Sequence, residues 1–138
     1  MKDYNIRQMQ KLALKYFPYG EILPRLAQAT GKLIFDQRKL KFVDCLIIFL
    51  VFTEREGVIL SIEEAKAHTI YHRGMNAPIL LGMLSQLFAI KESLELESEK
   101  LRGPCQRYFD ALFAMAAKSK VKMIEITDEK LSIYDSIK

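Results

Sequence analysis

The sequence lacks the features that mark several large classes of protein. Its two cysteines among 138 residues are too few for a disulfide framework. The His, Cys, Asp and Glu residues are not spaced to bring four zinc ligands into a tight cluster. The six glycines are scattered singly, which argues against a glycine-rich phosphate-binding loop. No catalytic motif stands out, so we expect no catalytic residue, no metal site and no cofactor, and the chain is not predicted to be an enzyme.

Long apolar runs are also missing. The longest, Cys45 to Phe52, is much shorter than the roughly 20 residues that cross a bilayer. The opening residues 1–3 lead into a mixed, charged stretch, whereas a signal peptide continues into an apolar region. Half of the residues are apolar and 28% are charged, which is the balance of a globular chain. We therefore expect one cytoplasmic domain over residues 1–138, with no membrane partner.

Positive charge is concentrated in two separate stretches. Residues 1–40 hold eight Lys/Arg and three Asp/Glu, and residues 100–122 hold six against one, so each stretch carries a net +5. Between them, residues 41–60 carry a net −1 and residues 61–99 a net −3, and residues 123–138 carry a net −2. The total is +4. A polyanion such as DNA would be attracted to the two basic stretches, although lysines that merely solvate helix faces give the same surplus.

Apolar spacing predicts a mainly helical chain. Residues 41–54 are apolar almost all round, which favours a central helix and leaves a buried strand as the alternative. Gly57 is expected to end that element, and Ser61 to cap the next helix by accepting a hydrogen bond from the N–H of Glu64. The remaining apolar stripes predict helices over residues 3–17, 24–37, 62–70, 77–91, 107–118 and 128–137.

A small β element is expected beside these helices. Residues 58–60 are short, apolar and β-prone, and residues 121–127 alternate between apolar and polar, which is the clearest strand pattern in the chain. Residues 94–97 also alternate, and they suit either a strand or a continuation of the preceding helix. The predicted fold class is therefore mainly α with a small β element.

The order of elements from Lys41 to Thr127 resembles a winged helix-turn-helix domain of the MarR-like transcription regulators. A buried helix, a short strand, a capped helix, a turn, a second helix and a late strand follow one another. The resemblance implies a core over residues 41–127, in which the helix at 77–91 enters the major groove of DNA and a wing touches the backbone. The helices of residues 1–40 and the C-terminal helix of 128–138 would then hold a homodimer together.

That resemblance implies a DNA-binding transcriptional regulator that contacts double-stranded DNA as a homodimer. The candidate contacts lie at the turn, on the second helix, around Gly103-Pro104 and at the last strand. They are Arg73, Asn76, Ser85, Gln86, Lys100, Arg102, Arg107, Lys120 and Lys122.

Two features keep an alternative open. About 30 residues separate Lys91 from Val121, which is more than a simple wing needs, so the insert at 91–120 is either a wing or an extra helix. Residues 78–88 are also very apolar for a helix that faces DNA. The alternative fold is an unrelated all-α bundle, and the alternative function is a helical protein–protein interaction or adaptor module.

Two smaller hypotheses concern single side chains. Cys105 lies near two arginines in sequence, which could lower its pKa and make it reactive, although a structural thiol is the simpler interpretation. Lys118, Lys120 and Lys122 alternate, so on a strand they would share one face and suit phosphate contact or guard an exposed edge.

Overall fold

In a computed structural model, the chain forms a bundle of helices around one central helix. The structure describes residues 4–18, 20–69, 76–96 and 99–137, with side chains for all of them except residues 76–78 and 99. These residues contain no β-strand, and they form seven α-helices: α1 (Ile6–Tyr16), α2 (Ile22–Lys32), α3 (Lys39–Arg55), α4 (Ile62–Thr69), α5 (Asn76–Glu95), α6 (Arg102–Lys118) and α7 (Met123–Ser136). The mainly helical class is therefore confirmed.

Helix α3 is the centre of the bundle, because α1, α2, α6 and α7 all pack against it. Its apolar side chains from Phe42 to Phe52 are buried, except for Ile48, which is partly covered, whereas Leu40 in the first turn is exposed. The Phe49 ring lies with its centroid 4.6 Å from that of Tyr108 on α6. The prediction of a central helix is confirmed, and the buried strand that was its alternative is not formed.

The terminal helices use their apolar stripes within the chain. Met9 and Ala13 on α1 and Leu26 on α2 are buried, and both helices pack on α3. Helix α7 covers α3 as well and also contacts α1. The resemblance assigned these helices to an interface between two copies, whereas the structure shows the same stripes covering the central helix of one chain.

The strand predicted over residues 121–127 is wrong, and the last helix begins at Met123 instead of 128. Ile124, Thr127 and Leu131 recur at helical spacing and are buried. An isolated strand would leave its backbone N–H and C=O groups without partners, and the described residues offer no neighbouring strand to supply them. A helix satisfies these groups internally while the same apolar residues cover α3.

The strand predicted over residues 58–60 is also not formed, and these residues connect α3 to α4. Of the two alternatives for residues 94–97, Leu94 and Glu95 follow the helical one, because α5 runs to Glu95, and Glu97 lies outside the described residues. A 3-10 turn, Glu99–Leu101, then leads directly into α6. The insert at 91–120 is therefore mainly helical in the part that the structure describes.

The start of α4 is fixed by a partly predicted cap. The N–H of Glu64 donates to the hydroxyl of Ser61 over 3.1 Å, as the sequence predicts. In a capping box the carboxylate of Glu64 would also accept from the N–H of Ser61, but here that N–H donates to the side-chain oxygen of Gln106 on α6 over 2.8 Å. The amide of Gln106 in turn donates to the carbonyl of Ser61 over 2.9 Å, so α4 is clamped to α6 at this end.

Candidate functional site

The nine predicted DNA-contacting residues do not form one surface. Arg73 lies outside the described residues, and Asn76 is the first residue of α5, with a side chain that the structure does not describe. The others fall into three places: Ser85 and Gln86 on α5, Lys100 to Arg107 at the start of α6, and Lys120 with Lys122 between α6 and α7.

The candidate contacts around Gly103-Pro104 lie at the start of a helix. Arg102 and Arg107 lie in the first turns of α6, and each has a partner within the chain. The guanidinium of Arg102 is 3.2 Å from the carboxylate of Glu64, and Arg107 donates to the side-chain oxygen of Gln86 over 3.1 Å. Gln86 and Arg107 are therefore brought together, but as partners of each other.

Helix α5 has few of the exposed polar and basic side chains with which a helix contacts DNA. Ile79, Leu80, Met83 and Ile90 are buried, and α5 packs mainly against α6. From residue 79 to residue 90 the helix carries no Lys or Arg. Its most exposed large side chain over that range is Phe88, which is apolar.

Lys120 and Lys122, in contrast, line a groove of about 840 Å³ between two turns of the bundle. One wall is the segment that joins α2 to α3, together with the first turns of α3. The other wall is the turn between α6 and α7, together with the first turns of α7. We call this the cationic groove, after the five basic residues that line it: Arg38, Lys39, Lys41, Lys120 and Lys122.

Three carboxylates, those of Asp44, Glu125 and Glu129, also line the cationic groove. The surplus of cations continues into a neighbouring hollow of about 280 Å³. This hollow shares Lys41 and Asp44 with the groove and adds Arg25 and Lys32 from α2. The basic surface thus extends from the groove along one side of α2.

Two helices begin at the cationic groove. The residue before α3 is Arg38 and the residue before α7 is Lys122, and neither caps its helix with a side-chain hydrogen bond. The first N–H groups of a helix have no partner within it, and they give that end a partial positive charge. Placing cations there is unfavourable by about 0.3–1 kcal/mol each. Helix α7 already has Glu125 in its first turn, whereas α3 has no acidic residue there, so an anion in the groove would stabilise the start of α3 most.

Lys120 has an unusual backbone conformation, with a φ of 59°. The N–H of the next residue, Val121, bonds the carbonyl of Ala116 over 2.8 Å, which closes the end of α6. Gly57 occupies the equivalent position after α3, with a φ of 70° and the same bond pattern in the residue that follows it. Glycine is the usual residue at this position because a side chain is strained there. At the end of α6 the chain has a lysine instead.

Arg38 is held in place by Asp36. Its Nε and Nη2 atoms lie 2.9 and 2.7 Å from the two carboxylate oxygens of Asp36. The hydrogen bond from Arg38 lowers the pKa of that carboxyl to about 2. Arg38 is exposed and Asp36 is partly buried, so Arg38 is oriented at the rim of the groove, and much of its charge is balanced by Asp36.

Lys118, the third member of the predicted lysine row, does not lie on one face with Lys120 and Lys122. It belongs to the last turn of α6, and its Nζ is buried with no hydrogen-bond partner among the described residues. Residues two positions apart share one face only in a strand. Here Lys118 lies on a helix, and Lys120 and Lys122 lie in the turn after it, so the spacing does not place the three lysines on one face.

Two of the five basic residues of the cationic groove were predicted from the sequence. Lys120 and Lys122 were predicted as phosphate contacts, but Arg38, Lys39 and Lys41 were not. The signal was present in the charge distribution, since the two basic stretches end within a few residues of these positions. What the sequence did not show is that the two stretches meet.

The reactive-thiol hypothesis for Cys105 is not supported. The side chain is buried, and burial together with the charge of Glu56 raises the pKa of the thiol to about 12. In the part of the chain that the structure describes, no three His, Cys, Asp or Glu side chains are placed to hold a metal ion. The described helices include none that is both long and apolar enough to cross a membrane.

Comparison with models of known protein families, with curated proteins and with solved structures finds no match. The function of this chain is therefore inferred from its own residues and their geometry.

Proposed function

We propose that this chain binds duplex DNA by contacting backbone phosphates through the cationic groove. The observation that carries the proposal is the convergence of Arg38, Lys39 and Lys41 with Lys120 and Lys122 around one opening. Lysine and arginine side chains together with helix N-termini are the groups that position DNA phosphates. Here both kinds of group are present on both walls.

The strain at Lys120 supports the same proposal. A left-handed conformation costs a residue with a side chain roughly 1 kcal/mol compared with glycine. Such a cost is tolerated where the side chain has a role in that place. A cation at the rim of a phosphate-binding groove is such a role.

The proposal moves the main contact away from the helix predicted to read bases. A winged helix-turn-helix mode would use Arg73 and Asn76, and neither side chain is described. Phosphate contacts through the cationic groove need neither residue. They give affinity and orientation without base readout, so we expect binding with little sequence preference.

Binding to a labelled duplex, followed by fluorescence anisotropy from about 50 to 200 mM salt, tests the proposal. The variant Lys39→Glu/Lys122→Glu reverses one cation on each wall. We expect a loss of affinity on the order of tenfold or more and a salt slope smaller by about two, because each phosphate contact contributes roughly one unit.

The matched control is Lys11→Glu/Lys66→Glu, which makes the same change in net charge at two exposed lysines outside the groove. It should retain most of the affinity. If both double variants lose affinity equally, or if the wild-type chain binds no duplex at low salt, the proposal is wrong.

A second candidate function is protein–protein interaction through α5. Leu81 and Phe88 are 67% and 74% exposed, and they are seven positions apart, so they lie about two turns apart on one side of the helix. A homodimer formed through this side, instead of through the terminal helices that the resemblance implied, would have a second copy of the chain as the partner. Light scattering over a concentration series tests it: the mass should approach twice that of one chain, and Leu81→Glu should return it to one. A mass of one chain at every concentration would exclude the homodimer.

A further inference from the structure

Phe35 is the most exposed large apolar side chain that the structure describes, with 91% of its surface accessible. It lies in the short segment between α2 and α3, two residues before Gln37, where the lining of the cationic groove begins. Ile34 beside it is 46% exposed, and Leu40 in the groove wall is 63% exposed. One aromatic ring thus projects from the rim of the groove.

The backbone that carries Phe35 is held by hydrogen bonds. The N–H groups of Phe35 and Asp36 both bond the carbonyl of Lys32, over 3.2 and 3.0 Å. The side-chain amide of Gln37 donates to the carbonyl of Leu33 over 2.9 Å, and Leu33 is fully buried. The ring is therefore presented by an ordered turn, without the entropy cost of ordering a loose loop on binding.

Cations flank the ring on both sides along the chain. Lys32 lies three residues before Phe35, and Arg38 and Lys39 lie three and four residues after it. A partner for this surface must combine negative charge on its outside with an apolar surface that a single ring can enter. Duplex DNA has this arrangement, because its stacked bases lie behind two rows of phosphates.

We infer that Phe35 inserts as a wedge between two base pairs from the minor groove and bends the duplex, while Lys32 and Lys39 neutralise the phosphates on either side. This inference rests on the proposed DNA-binding function and adds its mode. Proteins that insert apolar wedges kink DNA by partly unstacking one base step. The favoured partners are therefore duplexes with an easily unstacked step, such as TA or CA/TG, or with a mismatch.

An anionic membrane surface also attracts cations beside an apolar side chain. A membrane-bound face, however, needs a broad apolar area that sinks into the headgroup region. Here one ring projects fully, Ile34 beside it is about half covered, and Leu40, although 63% exposed, lies in the groove wall between Lys39 and Lys41, so the exposed apolar side chains form no broad continuous area. The adjoining groove is bounded by two helix starts and suits a linear chain of phosphates, so the observations favour DNA.

Stacking can be measured directly, because the chain contains no tryptophan. In Phe35→Trp, the single indole should report on its own surroundings, and its emission should be quenched by saturating duplex as it stacks on bases. Phe88→Trp is the matched control, since Phe88 is also exposed but lies on α5. Its emission should stay within about a tenth of the free value. Equal emission changes in both variants would overturn the wedge.

Bending is measured with a donor and an acceptor dye at the two ends of a duplex that has a central TA step. Wild-type protein should increase energy transfer, whereas Phe35→Ala should leave it at the value of free DNA. Because Phe35 is exposed, Phe35→Ala should unfold thermally like wild type and still bind through the cationic groove, within about tenfold of wild-type affinity. The affinity of wild type for a mismatched duplex should exceed that for a fully paired one severalfold.

The outcomes separate the two proposals. If Phe35→Ala binds and bends the duplex like wild type, the wedge is wrong and DNA binding stands. If wild type binds no duplex, both are wrong. If wild type instead co-sediments with vesicles containing phosphatidylserine and loses this on Phe35→Ala, while duplex binding is unaffected by the substitution, the ring serves a membrane and the wedge is overturned.

Discussion

The hydroxyl of Tyr108 donates its hydrogen bond to the hydroxyl of Thr30, 2.7 Å away in the core. The direction follows from proton counting, because the single hydroxyl proton of Thr30 already bonds the carbonyl of Leu26 over 2.7 Å. The thiol of Cys45, 3.1 Å from the Tyr108 oxygen, is then the donor to Tyr108. A buried relay of three side chains thus joins α2, α3 and α6.

Removing the acceptor of this relay should destabilise the fold. In Thr30→Val, the side-chain shape is kept, but the Tyr108 hydroxyl loses its acceptor in a buried place. A buried donor without a partner costs about 1–3 kcal/mol. We expect the free energy of unfolding, measured with urea, to fall by about that amount with no change in the slope against urea.

Thr127 on α7 gives the opposite expectation for the same substitution. Its hydroxyl is buried and has no hydrogen-bond partner among the described residues. Thr127→Val replaces an unsatisfied polar group with a methyl group of similar size, so the free energy of unfolding should stay constant or rise by about 1 kcal/mol. A loss as large as that of Thr30→Val in the same urea titration would show that the Thr127 hydroxyl has a partner.

Neither cysteine should react in the folded chain. Burial raises the pKa of Cys45 to about 11 and that of Cys105 to about 12, and only the thiolate is a nucleophile. Labelling by Ellman's reagent at neutral pH should be about a hundredfold or more slower than for the unfolded chain, where both thiols should react at once. Fast labelling of one thiol in the native chain would contradict the buried placement.

Asp110 should make stability depend on pH. Burial raises the pKa of its carboxyl above the ordinary 3.8, and the negative charge of Glu64 raises the pKa further. The hydrogen bond that Gln106 donates over 2.8 Å and the charges of His68 and Arg102 lower the pKa and offset part of this rise. Between the unfolded and the folded pKa, the folded chain keeps a proton that the unfolded chain has released. The free energy of unfolding therefore falls as pH rises through that window.

The variant Asp110→Asn removes this titration and keeps an oxygen that can accept from Gln106. Urea titrations from about pH 4 upwards should give a smaller decline in stability with pH than wild type shows, and a higher stability at neutral pH. The same decline in both proteins would assign it to another group.

Lys120→Gly should separate stability from binding. Glycine adopts the φ of 59° without strain, so the free energy of unfolding should rise by about 1 kcal/mol. The lost cation should weaken duplex binding severalfold. Lys120→Ala removes the same charge but keeps the strain, so it should bind as weakly as Lys120→Gly without the gain in stability. Equal thermal stability of the two variants would contradict this account.

The sequence predicted the parts of the fold that depend on local spacing. The all-round apolar pattern of residues 41–54 identified the central helix, and Gly57 and Ser61 marked its end and the next start. The alternation of residues 121–127 predicted a strand that is not formed. Ile124, Thr127 and Leu131 also recur at helical spacing, so the sequence fits a helix as well as a strand. Only the position of α3 beneath them decides between the two.

Only the wall of the cationic groove that holds Lys120 and Lys122 was predictable from local sequence. Lys120 and Lys122 stood out as basic residues near a turn. Their neighbours Arg38 and Lys39 come from a part of the chain more than eighty positions earlier, and only the packing of α2, α3 and α7 brings them together. Local sequence patterns carry no information about which distant segments of the chain pack together.

The central position of α3 has a consequence for synthesis in the cell. The ribosome completes α3 at Arg55, with α1 and α2 available to cover one side, but α6 begins only at Arg102. At translation speeds of about 5–20 residues per second, several seconds pass before α6 is synthesised and can pack against the remaining side of α3. A nascent chain of this length exposes phenylalanines such as Phe49 to solvent during that time, and we expect chaperones that hold unfolded polypeptides to bind it there.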